Sequence, residues 1–259
     1  MIRKIFILLI CTTYPALNAY AQSLGWVKQI SGSDCEKGDK VVFDDSGNVY
    51  TIGQYTYLAD FDPGPGVFNL PSVFYGGYIS KLDAAGNFVW AKALGEGGGT
   101  ALHSIAVDKF SNVYVTGLVT DSIDLDPGLG SDKIYTPNCW NTFIVKLNAL
   151  GEYDWGIQLG GQSGQVNYPK TIALDSIGNV YTIGQFQDTI DFDPGPGIFN
   201  LISPYFYDVF VYKLDPNGNL IWAKSFGGGY HQAPSSACID KAGNVYIQGV
   251  FEGISDFDP

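Results

Sequence analysis

Pairs of aspartates two residues apart are the side chains in this sequence best placed to do chemistry. Each pair belongs to an Asp-x-Asp-Pro-Gly segment, and the pairs are Asp60 and Asp62, Asp124 and Asp126, and Asp191 and Asp193. Two carboxylates on a Pro-Gly turn are candidate Ca²⁺ ligands, but Ca²⁺ prefers about 6–8 oxygens and no EF-hand loop is present. We favour a structural turn in which each carboxylate caps its own backbone. No other cofactor is expected.

Sequence signatures of catalysis are absent. The chain contains no Gly-x-Ser-x-Gly, no His-Glu-x-x-His and no Cys-x-x-Cys, which are the signatures of hydrolases, zinc proteases and redox sites. His103 and His231 lie five and nine residues before Asp108 and Asp240. Since their offsets differ, we expect loop histidines rather than a repeated site. A hydrolase or lyase that uses loop carboxylates is kept as the third function class, behind two non-catalytic ones.

A repeat of 64 to 67 residues organises the whole chain. The tyrosines of its Asn-Val-Tyr motif, Tyr50, Tyr114, Tyr181 and Tyr246, are 64, 67 and 65 residues apart. Trp26, Trp90, Trp155 and Trp222 follow the same spacing, and we expect them to pack between repeats. A fixed period of this size is typical of solenoids, propellers and arrays. With 33 Gly and 13 Pro in 259 residues, long helices are excluded.

Turn residues divide each unit into four strands. In the third unit, Ser176 to Asn179 and Asp215 to Gly218 form tight turns between alternating runs, and the Asp-Phe-Asp-Pro-Gly segment lies in a longer connection. Four antiparallel strands per unit predict an all-β fold, a β-propeller of four-stranded blades. The first strand, short and rich in small residues, is assigned to the central axis. The connections after strands two and four then share one face, which we call the long-connection face and expect to bind any ligand.

The motifs together resemble a known family. Gly-Asn-Val-Tyr, Asp-Phe-Asp-Pro-Gly-Pro-Gly, Lys213-Leu214-Asp215 with Gly218-Asn219, and Trp222-Ala223-Lys224 are similar to the SBBP-type β-propeller repeats of large secreted proteins from Bacteroidetes-like bacteria. The resemblance covers about residues 24 to 259 and implies an extracellular or cell-surface scaffold. It supplies no catalytic residues. The sorting domain that often ends such proteins is not found here.

Export is predicted by the first 21 residues. Arg3 and Lys4 precede an apolar run, and Ala19-Tyr20-Ala21 fits a signal peptidase site. The domains are therefore a signal peptide at 1–21 and a repeat region at 22–259, secreted or at the bacterial surface, with no membrane insertion after cleavage. The formal charge of −12 argues against nucleic acid as a partner. Cys35, Cys139 and Cys238 form no disulfide framework, and Cys238 is expected to be a small core residue.

Counting strands predicts an incomplete ring of about 3.7 repeats. An opening strand at Trp26 to Ile30, three full units and two further strands leave the last blade truncated at Pro259. We therefore expect an N-terminal portion of a longer protein. The favoured function is a secreted, non-catalytic scaffold or protein-interaction module. The alternative is a glycan-binding module that uses Trp140 and the aromatic-rich connections, and either partner would bind at the long-connection face.

Overall fold

The fold is all-β. The computed structural model describes residues 25–32, 35–71, 73–95, 99–160, 166–240 and 242–257, so the predicted signal peptide lies outside the described residues. No described residue is helical, and no helix there is long and apolar enough to cross a membrane.

The described strands fall into the predicted units. In chain order they are β1 Ser31–Gly32, β2 Glu36–Phe43, β3 Val49–Tyr57, β4 Ala59–Asp60, β5 Val73–Leu82, β6 Phe88–Leu94, β7 Thr100–Val107, β8 Val113–Asp124, β9 Lys133–Leu147, β10 Tyr153–Gln158, β11 Val166–Leu174, β12 Val180–Asp191, β13 Asn200–Leu214, β14 Leu220–Gly228, β15 Gln232–Ile239, β16 Val245–Phe251 and β17 Ser255–Asp256. Three antiparallel blades have the orders β2-β3-β5-β6, β7-β8-β9-β10 and β11-β12-β13-β14. The fourth blade has β15 and β16. The predicted propeller blades are confirmed.

One tight turn is used seven times to connect these strands. An Asp or Asn at its first position accepts hydrogen bonds through one side-chain oxygen from the backbone N–H groups two and four residues later, as Asp175 does from Ile177 and Asn179. The fourth position has a positive φ, which favours glycine; six of the seven turns have Gly there. Ser111 is the exception at φ 64°. Its hydroxyl donates to Asp44 Oδ2 of the preceding blade at 2.8 Å.

A tyrosine, a tryptophan and a lysine cluster at equivalent positions within each of the first three blades, and in the first two the tryptophan also bonds to the next blade. Tyr50 meets Trp90 edge-on with ring centroids 6.2 Å apart, and Lys81 Nζ lies 5.0 Å from the Tyr50 centroid. Trp90 Nε1 donates to Ala149 O of the next blade. The second and third blades repeat the ring contact at 6.2 and 6.1 Å. The periodic tryptophans therefore pack between blades, and each apolar interface excludes water over one face of a sheet.

The opening strand predicted at Trp26 to Ile30 is wrong. Residues 25–30 form no strand, because no described strand lies alongside them to supply backbone partners. Trp26 still takes the tryptophan position on the first blade, since its Nε1 donates to Ala84 O as Trp90 does one blade later. Trp26 therefore makes the side-chain contact of a fourth-strand tryptophan, although residues 25–30 make no strand hydrogen bonds.

The prediction that Cys238 is a core residue is also wrong. Its neighbours Ala237 and Ile239 pack onto the third blade, and Cys238 points to the opposite face and is exposed. The equivalent Val42 and Ala106 contact the blade that follows them. Val41 and Phe43 of the first blade and Tyr246 of the fourth are also exposed, so within the described residues the arc is open and the face of Cys238 is uncovered.

Candidate functional site

Each inner strand carries one extra residue at the same register. The pairing of first and second strands slips between Gly38 and Lys40, and in the same way in the other three blades. The extra residues are Asp39, His103, Lys170 and Ser235, each eleven residues before the tyrosine of its Asn-Val-Tyr motif. A β-bulge redirects a side chain and is common beside functional sites. The four blades therefore place four different polar groups at one level.

A glycine in each second strand makes room for the bulge. Gly53, Gly117, Gly184 and Gly249 all lie three residues after the motif tyrosine. A Cβ on Gly117 would lie 2.3 Å from the carbonyl oxygen of Ala101, two residues before His103. The other three glycines face the matching carbonyls at 1.8 to 2.4 Å. These repeated glycines allow the inner strand to approach closely enough to bulge.

The bulged residues line one cavity of about 370 Å³ on the propeller axis. All four inner strands contribute to its wall, together with Gln54 from the second strand of the first blade. This confirms that the first strands surround the axis, although at eight or nine residues they are longer than the short runs predicted. A cavity of roughly this volume fits a small molecule or one sugar residue.

One hydrogen bond sets the chemistry of His103. Its Nδ1 lies 2.9 Å from the carbonyl oxygen of Pro169 on the next inner strand. A carbonyl only accepts, so Nδ1 carries the proton in this contact. In the neutral ring, Nε2 is then left as an acceptor.

Cations predominate in the cavity. Lys37, Lys40 and Lys170 line it with a single carboxylate, Asp39. Lys37 pairs with Asp39 at 2.5 Å, and this hydrogen bond and the charge of Asp39 raise the pKa of Lys37. No carboxylate of the described residues pairs with Lys40 or Lys170. The cavity therefore holds two uncompensated positive charges in a chain of net charge −12.

Aromatic side chains stand at equivalent positions near the cavity. Tyr75, Trp140 and Tyr207 each lie six residues before the lysine of the third strand, and we call them the ring positions. Tyr75 is 44% exposed and Trp140 48%, while Tyr207 is partly buried. Trp140 therefore interrupts the tryptophan period but continues a period of aromatic residues.

Contacts connect the ring positions to the inner strands. Tyr75 is close enough to Lys37 to contribute to its raised pKa. Trp140 forms a parallel bridge with Val166 at the start of β11. Tyr207 packs against Tyr168 on β11 at 5.9 Å and against His231 at 5.3 Å. The ring positions thus border the long-connection side of the axis.

The paired aspartates form turns away from this cavity. Asp191 Oδ1 accepts hydrogen bonds from the backbone of Asp193 and Phe199, and Asp193 Oδ1 accepts one from Gly195. Phe192 between them is fully buried. Asp60 with Asp62 and Asp124 with Asp126 repeat the pattern.

Burial raises the pKa of Asp124, but hydrogen bonds from Asp132, Ser131 and Asp126 outweigh it and leave the pKa below its usual value. Among the described residues, no three His, Cys, Asp or Glu side chains are grouped closely enough to hold a metal ion. The Ca²⁺ assignment stays a prediction.

The loop assignment of His103 is wrong, since this residue lies within β7, whereas His231 precedes β15 in a loop as expected. The two histidines occupy different repeat positions, so their distances from Asp108 and Asp240 do not compare the residues at one repeat position. At the position eleven residues before the motif tyrosine, the four otherwise similar units carry Asp, His, Lys and Ser. A position that differs in every repeat is the signal that would have found the axial cavity.

Parts of this chain are similar to known proteins. Residues 89–118 and 154–185 each match the SBBP family model, described as a β-propeller repeat. Each match runs from the outer strand of one blade through the bulge and the glycine of the next. An uncharacterised WD repeat-containing protein of Acanthamoeba polyphaga mimivirus is 26% identical over 231 residues, which cover 78% of this chain and 16% of that protein. A crystal structure of a protein of unknown function from Bacteroides caccae matches with a TM-score of 0.42 and 12% identity, over 83% of this chain and 54% of that one.

Proposed function

We propose that this chain, an SBBP-type β-propeller repeat protein, is a non-catalytic interaction module that acts outside the cell and holds its partner on the long-connection face. The predicted leader and the SBBP resemblance support export. The WD repeat relative supports a role for the repeats in interaction. The chain spans about a sixth of the length of that relative.

The observation that carries the proposal is the register of the ring positions. Tyr75, Trp140 and Tyr207 lie at one register in the third strands of three blades, and Trp140 and Tyr207 contact residues of the inner strand β11. Tyrosine and tryptophan provide large, rigid contact area with a polar edge, and they are enriched where proteins bind partners. Two of the three are nearly half exposed although each blade has a core to fill. Their retention at the surface favours binding over packing.

A glycan is the partner that these positions fit best. Sugar rings present a flat apolar face that packs on an aromatic ring, and their hydroxyls need hydrogen-bonding groups nearby. Tyr205 and Phe206 add exposed rings on β13 immediately before Tyr207. The axial cavity supplies lysine, hydroxyl and amide groups that can form these hydrogen bonds. A protein partner would use the rings without needing the polar cavity.

Glycan-array binding of the intact chain tests this proposal. We expect saturable binding that falls about two- to tenfold in Trp140→Ala, since contact with one aromatic ring contributes about 0.5–1.5 kcal/mol. Tyr135→Ala is the matched control, because Tyr135 lies on the same strand and is 70% exposed but is outside the ring positions. Equal binding by the unaltered chain and the Trp140→Ala variant would contradict the proposal.

A further inference from the structure

The axial cavity differs from its surroundings in charge. The chain has 26 acidic and 14 basic residues, with aspartates in most of its turns. At the axis the balance is reversed, since three lysines meet one aspartate. Unpaired ammonium groups in a concave site are stabilised by an anion, and the walls of a cavity strengthen that attraction relative to open water.

The cavity is formed by a β-bulge that recurs in every blade. The same bulge, opposite the same glycine, occurs in all four blades. A structural role alone would be served by one residue type in every copy, as it is by the repeated glycine. The extra residues instead are Asp39, His103, Lys170 and Ser235. Four different groups around one axis make an asymmetric surface that a ligand can fit in one orientation.

We infer that the axial cavity binds an oxyanion, the carboxylate of an acidic sugar residue whose ring packs at the long-connection face. Lys40 and Lys170 supply the compensating charge. Ser235 and, in its neutral form, His103 provide hydrogen-bonding capacity to the sugar hydroxyls. The inference rests on the proposed function for the sugar, whereas oxyanion binding depends on the cavity alone.

The charge pattern also sets the class of anion. A sugar carboxylate carries one negative charge and leaves Lys37 with Asp39 undisturbed. Phosphate offers the same oxygen chemistry with more charge, so it is the second source to be tested. Asp39 stands on the cavity wall and repels either one, which favours the singly charged group.

Calorimetric titration of the full chain with glucuronate, glucose and inorganic phosphate tests the inference. We expect glucuronate to bind at least about tenfold more tightly than glucose, because hydrogen bonds to a charged group are stronger than those to a neutral one. Lys170→Ala and Lys40→Ala should each weaken glucuronate binding about tenfold. Lys109→Ala is the control, since Lys109 is exposed at a tight turn and outside the cavity. All three lysines are exposed, so these variants should fold.

The outcomes separate the two proposals. Glucuronate affinity unchanged in Lys170→Ala, or no heat with any anion, overturns the axial oxyanion site. Phosphate that competes with glucuronate and loses affinity in the same variants supports the oxyanion site but removes its preference for a sugar. Glucuronate that binds equally well to Trp140→Ala leaves the axial site standing and counts against ring stacking.

Discussion

Replacing Gly117 by alanine is expected to destabilise the protein by about 3 kcal/mol, near the upper end for overpacking a closed site. The added Cβ would lie 2.3 Å from the Ala101 carbonyl and 2.8 Å from the ring of Phe143, which is fully buried. Backbone on one side and a core ring on the other leave no flexible side chain to move aside. Relief requires the inner strand to withdraw, which would remove the bulge that directs His103 to the axis.

Chemical unfolding measures this loss, and Gly229→Ala is its control. A Cβ at Gly229 would meet no atom within 4 Å, and its φ is not in the left-handed region. That variant should unfold within a few tenths of a kcal/mol of the unaltered chain. If Gly117→Ala were equally stable, the glycines would not be what permits the bulges.

Replacing Asp44 by alanine is the second large effect, with an expected loss of about 3 kcal/mol. Its carboxylate accepts hydrogen bonds from Ser46 N, Asn48 N and Nδ2, the Tyr50 hydroxyl and the Ser111 hydroxyl. Tyr50 is fully buried, so its hydroxyl would lose its partner away from water. Ser111 belongs to the next blade, so the change weakens a turn and a blade interface together.

Asp240→Ala is the matched control for Asp44→Ala. Asp240 caps the same turn of the fourth blade and accepts from Ala242, Asn244 and Tyr246. Tyr246 is 56% exposed, so water can replace the lost partner of its hydroxyl. Urea unfolding should show a clearly smaller loss for Asp240→Ala. Equal losses would show that the turn itself, and not its burial between blades, requires the carboxylate.

The lowered pKa of Asp44 predicts that the interface between the first two blades loses stability in acid. Burial raises its pKa, but hydrogen bonds from Asn48, Ser111 and Tyr50 outweigh this and lower the pKa from 3.8 to about 2. A carboxyl with a depressed folded-state pKa stabilises the fold fully above the unfolded value and loses this contribution as pH falls from about 4 to about 2. The stability difference between the unaltered chain and Asp44→Asn should therefore shrink by about 2 kcal/mol over that window. A pH-independent difference would contradict this account.

The strands of each blade were predictable from the sequence because the same turn residues recur in every unit. Asp175 to Asn179 and its six counterparts specify where strands end, and the motif tyrosines and tryptophans specify which faces pack. The opening strand was not predictable, because Trp26 keeps its side-chain contact while residues 25–30 lack the partner strand that a ladder needs. Exposure of Cys238 likewise depends on what covers the last blade and not on its own repeat position.

The axial cavity escaped prediction for a different reason. Periodicity identifies what the units share, whereas the cavity is lined by what they do not share. His103 and Lys170 occupy one structural position, but nothing in their types connects them until the bulges bring four inner strands together. The repeated glycine was visible, and its role became clear only from the carbonyl that it faces.

Amide hydrogen exchange of the full chain, with and without saturating tetragalacturonate, tests the location of the binding face most directly. We predict slower exchange around the bulges of β2, β7, β11 and β15 and near the ring positions of β5, β9 and β13. The tight turns at 108–112 and 175–179, at the opposite ends of the blades, should exchange as before. Protection confined to those turns, or binding that leaves the inner strands unprotected, would contradict a partner held at the propeller axis.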